Sequence, residues 1–154
     1  MSDSEQIPVF KMIVALCRGG GIGFEGTLPW PKIERDLRFF SEMTRSSTFP
    51  YNSAVVMGRK TWESIPTRPL KRRANLILSS QVPKCESDSE RWFASIPALF
   101  AHLEFAKYDE VWIIGGASIY AQFLAMHKNN EIIIDEMCIT QMEGAYECDV
   151  FFPS

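Results

Sequence analysis

The chain has 154 residues, 46% of them apolar and 23% charged, the balance of one ordinary globular domain and not of a disordered, collagenous or low-complexity chain. Its 16 Lys and Arg against 19 Asp and Glu leave a formal charge of −3, which argues against the strongly basic surface of a general nucleic-acid binder. Its apolar runs are too short for a membrane span, and the acidic start Met1-Ser-Asp-Ser-Glu-Gln lacks the features of a signal or transit peptide.

In chain order, Val9–Leu16 is an apolar, β-branched run that reads as a buried strand. A glycine-rich loop follows from Arg18 to Pro31, and residues 32–45 fit a helix. Residues 53–57 and Ala74–Leu78 read as short buried strands. Ser95 is placed to cap a helix running to about Ala106. Residues 110–114 form another strand, then Gly115-Gly116, then a helix from about Ala117 to Met126. Residues 131–140 contain a last strong strand, and residues 149–154 end in an apolar segment with no element after it. Strands alternating with helices predict an α/β fold: a mixed, mostly parallel twisted sheet of about six strands with flanking helices.

Gly21-Ile-Gly23-Phe-Glu-Gly26 matches the Gly-x-Gly-x-x-Gly pattern after a strand. In a dinucleotide fold the third glycine lies in a helix that meets the pyrophosphate. Here Pro29 and Pro31 follow at once and forbid that helix. A closing loop with glycine hinges, lying over a site at the end of the first strand, fits better.

On the helix over 32–45, Ile33, Leu37, Phe39, Phe40 and Met43 share one face at helical spacing, and Asp36 sits among them. An aspartate on an apolar face needs partners or a raised pKa. Either helix-start amides satisfy it, or it is a carboxylate on the floor of an apolar pocket, poised for proton chemistry. Met57-Gly58-Arg59-Lys60-Thr61-Trp62 joins a strand to a helix, as does Ile114-Gly115-Gly116-Ala117-Ser118. The first suits a phosphate or is a solvated basic turn. The second lets a flat ring or phosphate approach, or serves tight helix–sheet packing. The run Arg68-Pro69-Leu70-Lys71-Arg72-Arg73 is a solvated basic cluster or a carboxylate clamp. Cys17, Cys85, Cys138 and Cys148 form no Cys-x-x-Cys motif, and His102 and His127 lie in unrelated contexts. Reduced thiols, histidines in structural or surface roles and no metal site are the expectation.

Taken together these segments resemble the dihydrofolate reductase family in its eukaryotic style. The resemblance covers nearly the whole chain and rests on Gly26-Thr-Leu-Pro-Trp30, Asp36-Leu-Arg-Phe-Phe40, Met57-Gly-Arg-Lys-Thr-Trp-Glu-Ser-Ile-Pro66, Arg68-Pro-Leu-Lys71, residues 111–120 and Asp149-Val-Phe-Phe-Pro153. It implies one domain over residues 1–154 that reduces 7,8-dihydrofolate to 5,6,7,8-tetrahydrofolate with NADPH, in the cytoplasm or mitochondrion, and that binds antifolates. It implies catalytic roles for Asp36, for Thr140 acting with it through water, and for Leu28 and Trp30 on the closing loop. Ile13, Val14, Ala15, Leu37, Phe40, Ile65, Leu70 and Ile114 would line the substrate pocket, with Arg73 on the substrate's α-carboxylate. Ala15, Ile22, Gly23, Gly58, Arg59, Lys60, Thr61, Ser79, Gly115, Gly116, Ala117, Ser118 and Tyr120 would contact NADPH. The Arg68–Pro69 and Gly115–Gly116 bonds are expected to be cis.

Two departures matter. Ser80 and Ala94-Ser95 stand where vertebrate members commonly carry arginines near the cofactor's 2′-phosphate, which leaves NADPH preference resting on Arg59. Family members also continue past the Asp149–Pro153 segment with a C-terminal strand pair, so the domain is expected to be C-terminally incomplete. That would leave the strand in Glu131–Thr140 as an apolar edge, weakly stable or covered by a protein partner. The alternative function is a non-catalytic structural or binding subunit whose sheet edge a partner completes.

Overall fold

The computed structural model describes residues 8–31, 33–83 and 86–153. Cys85, one of the four cysteines expected to be reduced, lies outside the described residues. Among the described residues, eight strands and four α-helices run in the order β1 (Val9–Leu16), β2 (Gly21–Gly23), α1 (Glu34–Thr44), β3 (Ser53–Gly58), α2 (Arg59–Ser64), β4 (Ala74–Leu78), β5 (Glu90–Phe93), α3 (Ile96–Ala106), β6 (Glu110–Ile113), α4 (Ala117–Lys128), β7 (Ile134–Gln141) and β8 (Val150–Phe151). A 3₁₀ turn, Arg18–Gly20, joins β1 to β2.

Six strands form one sheet in the order β5-β4-β3-β6-β1-β7, and each neighbouring pair in it is parallel. Parallel strands are covered on both faces, which is why β1, β3 and β4 read as near-continuous apolar runs. Alternate residues go to opposite layers. Phe10, Met12, Val14, Val56 and Leu76 pack with Leu99, Leu103 and Phe123 of α3 and α4. Ile13, Val55, Met57, Ile77 and Trp112 pack on the other side with Trp62 and Trp92. Truncating a fully buried side chain such as Phe123 costs about 3–5 kcal/mol in such a core.

Local chemistry sets the helix ends. Ser95 accepts a hydrogen bond from the Ala98 amide at 3.2 Å, and Pro97 occupies the first turn, so α3 starts where Ser-x-Pro predicts. It stops at Lys107, which adopts a left-handed φ of 56°.

Several expectations need correction. Within the apolar segment that ends the chain, β8 pairs antiparallel with β2, and the Phe152 ring centre lies 5.1 Å from that of Tyr120. The strand expected within residues 131–140 runs from Ile134 to Gln141, and Ile132 just before it is buried in the core. The edges β2 and β5 are too short for their patterning to show in the sequence. The apolar face of α1 is only partly covered: Phe40 and Met43 pack against the core, Ile33, Leu37 and Phe39 keep 37–39% of their surface accessible, and within α1 just Thr44 is buried. Among the described residues β7 pairs with β1 alone. Asp135 and Glu136 give that edge charge, and Glu136 shares Lys11 with Glu110. The expected cis bonds at Arg68–Pro69 and Gly115–Gly116 are present, as is one at Phe49–Pro50.

Candidate active site

All six parallel strands point their carboxyl ends the same way, and that edge is where open α/β sheets collect ligands. A cleft of about 620 Å³ opens there. The loop after β1 supplies Thr27, Leu28 and Trp30; α1 supplies Asp36, Leu37, Phe40 and Ser41, with Ile33 just before it; α2 and its exit supply Thr61, Ser64, Ile65 and Pro66. Leu70, Arg73 and Ile114 complete it. The stripe of α1 is therefore shared: Ile33, Leu37 and Phe40 line the cleft, while Phe40 and Met43 also pack against the core. Phe39 lies outside this lining.

Among the described residues, the cleft holds one acid, Asp36, and one base, Arg73. Helix spacing separates them. Asp36, Phe40 and Thr44 fall at four-residue intervals on one face of α1, and at 1.5 Å per residue Thr44 lies about 12 Å along the axis from Asp36. Arg73 Nη1 donates to Thr44 Oγ1 at 2.9 Å, and its guanidinium lies 6.0 Å from the Phe40 ring centre. The two charges thus bracket an apolar floor.

Asp36 has no hydrogen-bond or ion-pair partner among the described residues, so helix-start amides do not satisfy it. Burial alone raises its pKa above the ordinary 3.8. Arg73 is the buried member of the basic run, while Lys71 and Arg72 are exposed. Its Nε donates to the Lys71 carbonyl at 2.8 Å. Burial first, and the neighbouring Arg45 second, pull its pKa down to about 10, which leaves it charged at neutral pH. No described carboxylate pairs with it, so its charge is available to a ligand.

Asn75 holds this corner. Fully buried, it accepts from the Leu70 amide at 2.9 Å and donates to the Leu70 and Arg73 carbonyls at 2.9 and 3.1 Å. Sequence reasoning missed Asn75, since an asparagine in an apolar strand gives no ligand signal. It also missed Thr27, Ile33, Ser41, Ser64 and Pro66 in the cleft wall; the four-residue spacing of Ile33, just before α1, with Leu37 and Ser41 on it was the available clue.

Other anticipated residues sit beside the cleft. Ile13, Val14 and Ala15 form the carboxyl end of β1, and Thr140 pairs with Ala15 across β7. Trp30 is buried against Cys17 and Met142, and its ring meets Tyr146 edge-on at 5.9 Å. Leu28 stays about half exposed. Ile22 and Gly23 lie on β2, and Ser79 follows β4.

The two glycine junctions meet. The Gly58 amide donates to the Gly115 carbonyl at 2.9 Å, which joins the starts of α2 and α4. A Cβ on Gly116 would lie 3.6 Å from Thr61 Oγ1. Neither helix start has a capping side chain, so first-turn amides of α4, including those of Ala117 and Ser118, remain for an anion. Arg59 and Lys60 are exposed at the start of α2; Arg59 reaches Glu63 at 2.8 Å and Gln81 at 3.2 Å. Tyr120 is buried and donates to the Ile13 carbonyl at 2.8 Å, and burial raises its pKa. This arrangement fits a long phosphate-bearing cofactor running from the cleft past both junctions.

Fold and cleft define an α/β enzyme that works on small molecules at the carboxyl edge of a parallel sheet. Among the described residues, no helix is long and apolar enough to cross a membrane. A family model described as dihydrofolate reductase matches residues 9–154. The chain is 35% identical to chicken dihydrofolate reductase over 148 residues, 92% of this chain and 76% of that one. It is 37% identical over 151 residues to a viral dihydrofolate reductase of Saimiriine herpesvirus 2 (strain 488), covering 94% and 68% of the two chains. The Drosophila melanogaster dihydrofolate reductase is 34% identical over 152 residues, covering 94% and 79%. The chain belongs to the dihydrofolate reductase family, and it is an enzyme of dihydrofolate reduction.

Proposed function

We propose that this chain reduces 7,8-dihydrofolate to 5,6,7,8-tetrahydrofolate with NADPH, in the cytoplasmic supply of one-carbon units. The observation that carries the reading is that, among the described residues, one acid and one buried arginine stand at opposite ends of one apolar cleft. Dihydrofolate has the matching layout: a hydrogen-bonding pterin at one end, an aromatic spacer and a carboxylate tail.

Asp36 would accept hydrogen bonds from the pterin's amino group and ring N–H, and so bias the ring toward protonation at N5. Thr140 would support that end through a water. Ile13, Val14, Ala15 and Ile114 would border the pterin. Leu37, Phe40, Ile65 and Leu70 would flank the spacer and exclude water, which strengthens both charge interactions at the cleft's ends. Arg73 would fork onto the α-carboxylate. Leu28 and Trp30 would close the cleft over the substrate. Antifolates with the same layout would occupy the same space.

When bound, NADPH supplies a hydride to C6 of the pterin. Gly58, Gly115 and Gly116 would let it approach the backbone closely, with Thr61, Ala117 and Ser118 offering hydrogen bonds to its phosphates. Arg59 and Lys60 would carry the charge preference for the 2′-phosphate, aided by Ser79. Ala15, Ile22, Gly23 and Tyr120 would border the nicotinamide end. Holding both flat rings in contact converts a bimolecular reaction into a positioned one, and this accounts for much of the acceleration.

The edge of β7 would accept an extended segment of a protein partner as an added strand. Ile139 is 53% exposed there, and Ile139→Lys should weaken such pairing in a sedimentation assay. The reaction itself is tested by oxidation of NADPH on addition of dihydrofolate to the chain, with Asp36→Asn as the comparison.

A further inference from the structure

Cys17 and Cys148 are 131 residues apart in sequence, yet their sulfurs lie 3.5 Å from each other. Cys17 ends β1 and is fully buried; Cys148 lies just before β8 and is part-exposed. Both are free thiols, and neither belongs to the cleft lining.

Three features mark the contact as a built one. Gly21 has an ordinary extended backbone, φ −70° and ψ 138°, so its conformation does not require glycine. Space does: a Cβ there would run into Cys148 Sγ and lie 3.1 Å from Cys17 Sγ. Gly21 leaves the room in which the two sulfurs meet. The backbone also holds both partners. The Cys17 amide donates to the Gly21 carbonyl at 3.0 Å, and the Asp149 amide donates to the Gly23 carbonyl at 2.9 Å. Finally, the contact sits under Trp30, packed with Met142 and Tyr146, where it joins the loop carrying Leu28 and Trp30 to the segment 142–152.

We propose that Cys17 and Cys148 are a reversible dithiol–disulfide pair, closed by a small disulfide of the glutathione class, that tethers the cleft loop to the β8 segment. The two sulfurs need to approach from 3.5 Å to ~2.05 Å, within reach of side-chain rotation. Part-exposed Cys148 reacts first. Its thiolate attacks one sulfur of oxidised glutathione and expels one glutathione thiolate. The Cys17 thiolate then attacks the Cys148 sulfur of that mixed disulfide. The Cys17–Cys148 bond forms and the second glutathione leaves. The two protein thiols lose two electrons and two protons in all, and both pass to the two glutathione molecules released. Burial, the Cys17 thiol and the Asp149 carboxylate raise the Cys148 pKa, so the first step is slow at neutral pH. Cys138 lies apart on β7, where it contacts Glu136, and serves as an internal control.

The test equilibrates the full chain with oxidised and reduced glutathione at mildly alkaline pH, traps free thiols by alkylation and maps the peptides. The expected product is a peptide linking Cys17 to Cys148, removed by dithiothreitol. Closing so long a loop should raise the melting temperature by roughly 5–15 °C. Amide exchange over residues 18–28 should slow in the oxidised chain. Cys138→Ala should keep all three effects. Cys148→Ala, at a part-exposed position that tolerates the change, should lose them. Glutathione left on Cys148, a link to Cys138 or Cys85, or a linked chain with an unchanged melting temperature would each overturn the proposal.

Discussion

Arg73 donates to Thr44 Oγ1 at 2.9 Å, and Thr44 lies a little over two turns along α1 from Asp36, on the same face. The helix therefore works as a ruler between an anion and a cation. Thr44 is itself fixed: its hydroxyl donates to the Phe40 carbonyl at 2.9 Å, and its carbonyl accepts from the Ser53 hydroxyl.

If Arg73 grips the substrate tail, Arg73→Leu should raise the KM for dihydrofolate roughly 10–100-fold, the worth of a charge-assisted hydrogen-bonded pair. NADPH affinity should stay unchanged, and a dihydropterin without the glutamate tail should be indifferent to the change. Thr44→Val should have a smaller, several-fold effect, because the Lys71 carbonyl still holds Nε. A collapse of NADPH binding in steady-state kinetics would move this arginine to the cofactor.

Asp36→Asn should lose most turnover at neutral pH while keeping NADPH affinity, and the deficit should shrink at low pH, where solvent protonates the pterin. The same variant should be more stable than the parent. Burial raises the Asp36 pKa in the folded chain above the ordinary 3.8. Between those two values the folded state holds a proton that the unfolded state has released, so stability falls as pH rises through that window. Below pH 3.8 the penalty disappears. Melting curves should therefore favour Asp36→Asn at pH 7 and converge with the parent as pH falls toward that value.

Asn75→Leu removes the partners of the Leu70 amide and of the Leu70 and Arg73 carbonyls. Leaving such groups unpaired should cost roughly 2–4 kcal/mol, read as a lower midpoint in urea unfolding. The dihydrofolate KM should rise with it, because Leu70 and Arg73 lose their anchor. An unchanged midpoint would show that the 70–73 loop is held by other contacts.

Gly115→Ala tests the cofactor side. Gly115 has φ +122°, and a Cβ there would lie 3.3 Å from the Tyr120 ring, which the Ile13 carbonyl holds in place. The backbone strain should cost about 1–3 kcal/mol. NADPH affinity, measured by fluorescence titration, should fall more than dihydrofolate affinity.

The sheet was readable from residues because its strands are buried on both faces: Val9–Leu16, Ala74–Leu78 and their neighbours show as apolar runs bounded by glycine or polar turns. Short edges were not. β2 is Gly-Ile-Gly, which carries no patterning, and β5 is a four-residue strand that pairs along one edge with β4. Asp36 stood out because a charge interrupts an apolar helical stripe. The meaning of that stripe did not, since a ligand-facing wall and a core-facing wall obey the same periodicity. Asn75 and the Cys17–Cys148 contact depend on long-range packing that no local spacing encodes.

The most direct test of the central reading follows NADPH absorbance after dihydrofolate is added to the purified chain at neutral pH. The expected result is steady oxidation of NADPH with tetrahydrofolate as product, reduced to a small residue by Asp36→Asn. Binding of both NADPH and dihydrofolate without turnover would contradict it and make the chain a non-catalytic binding module.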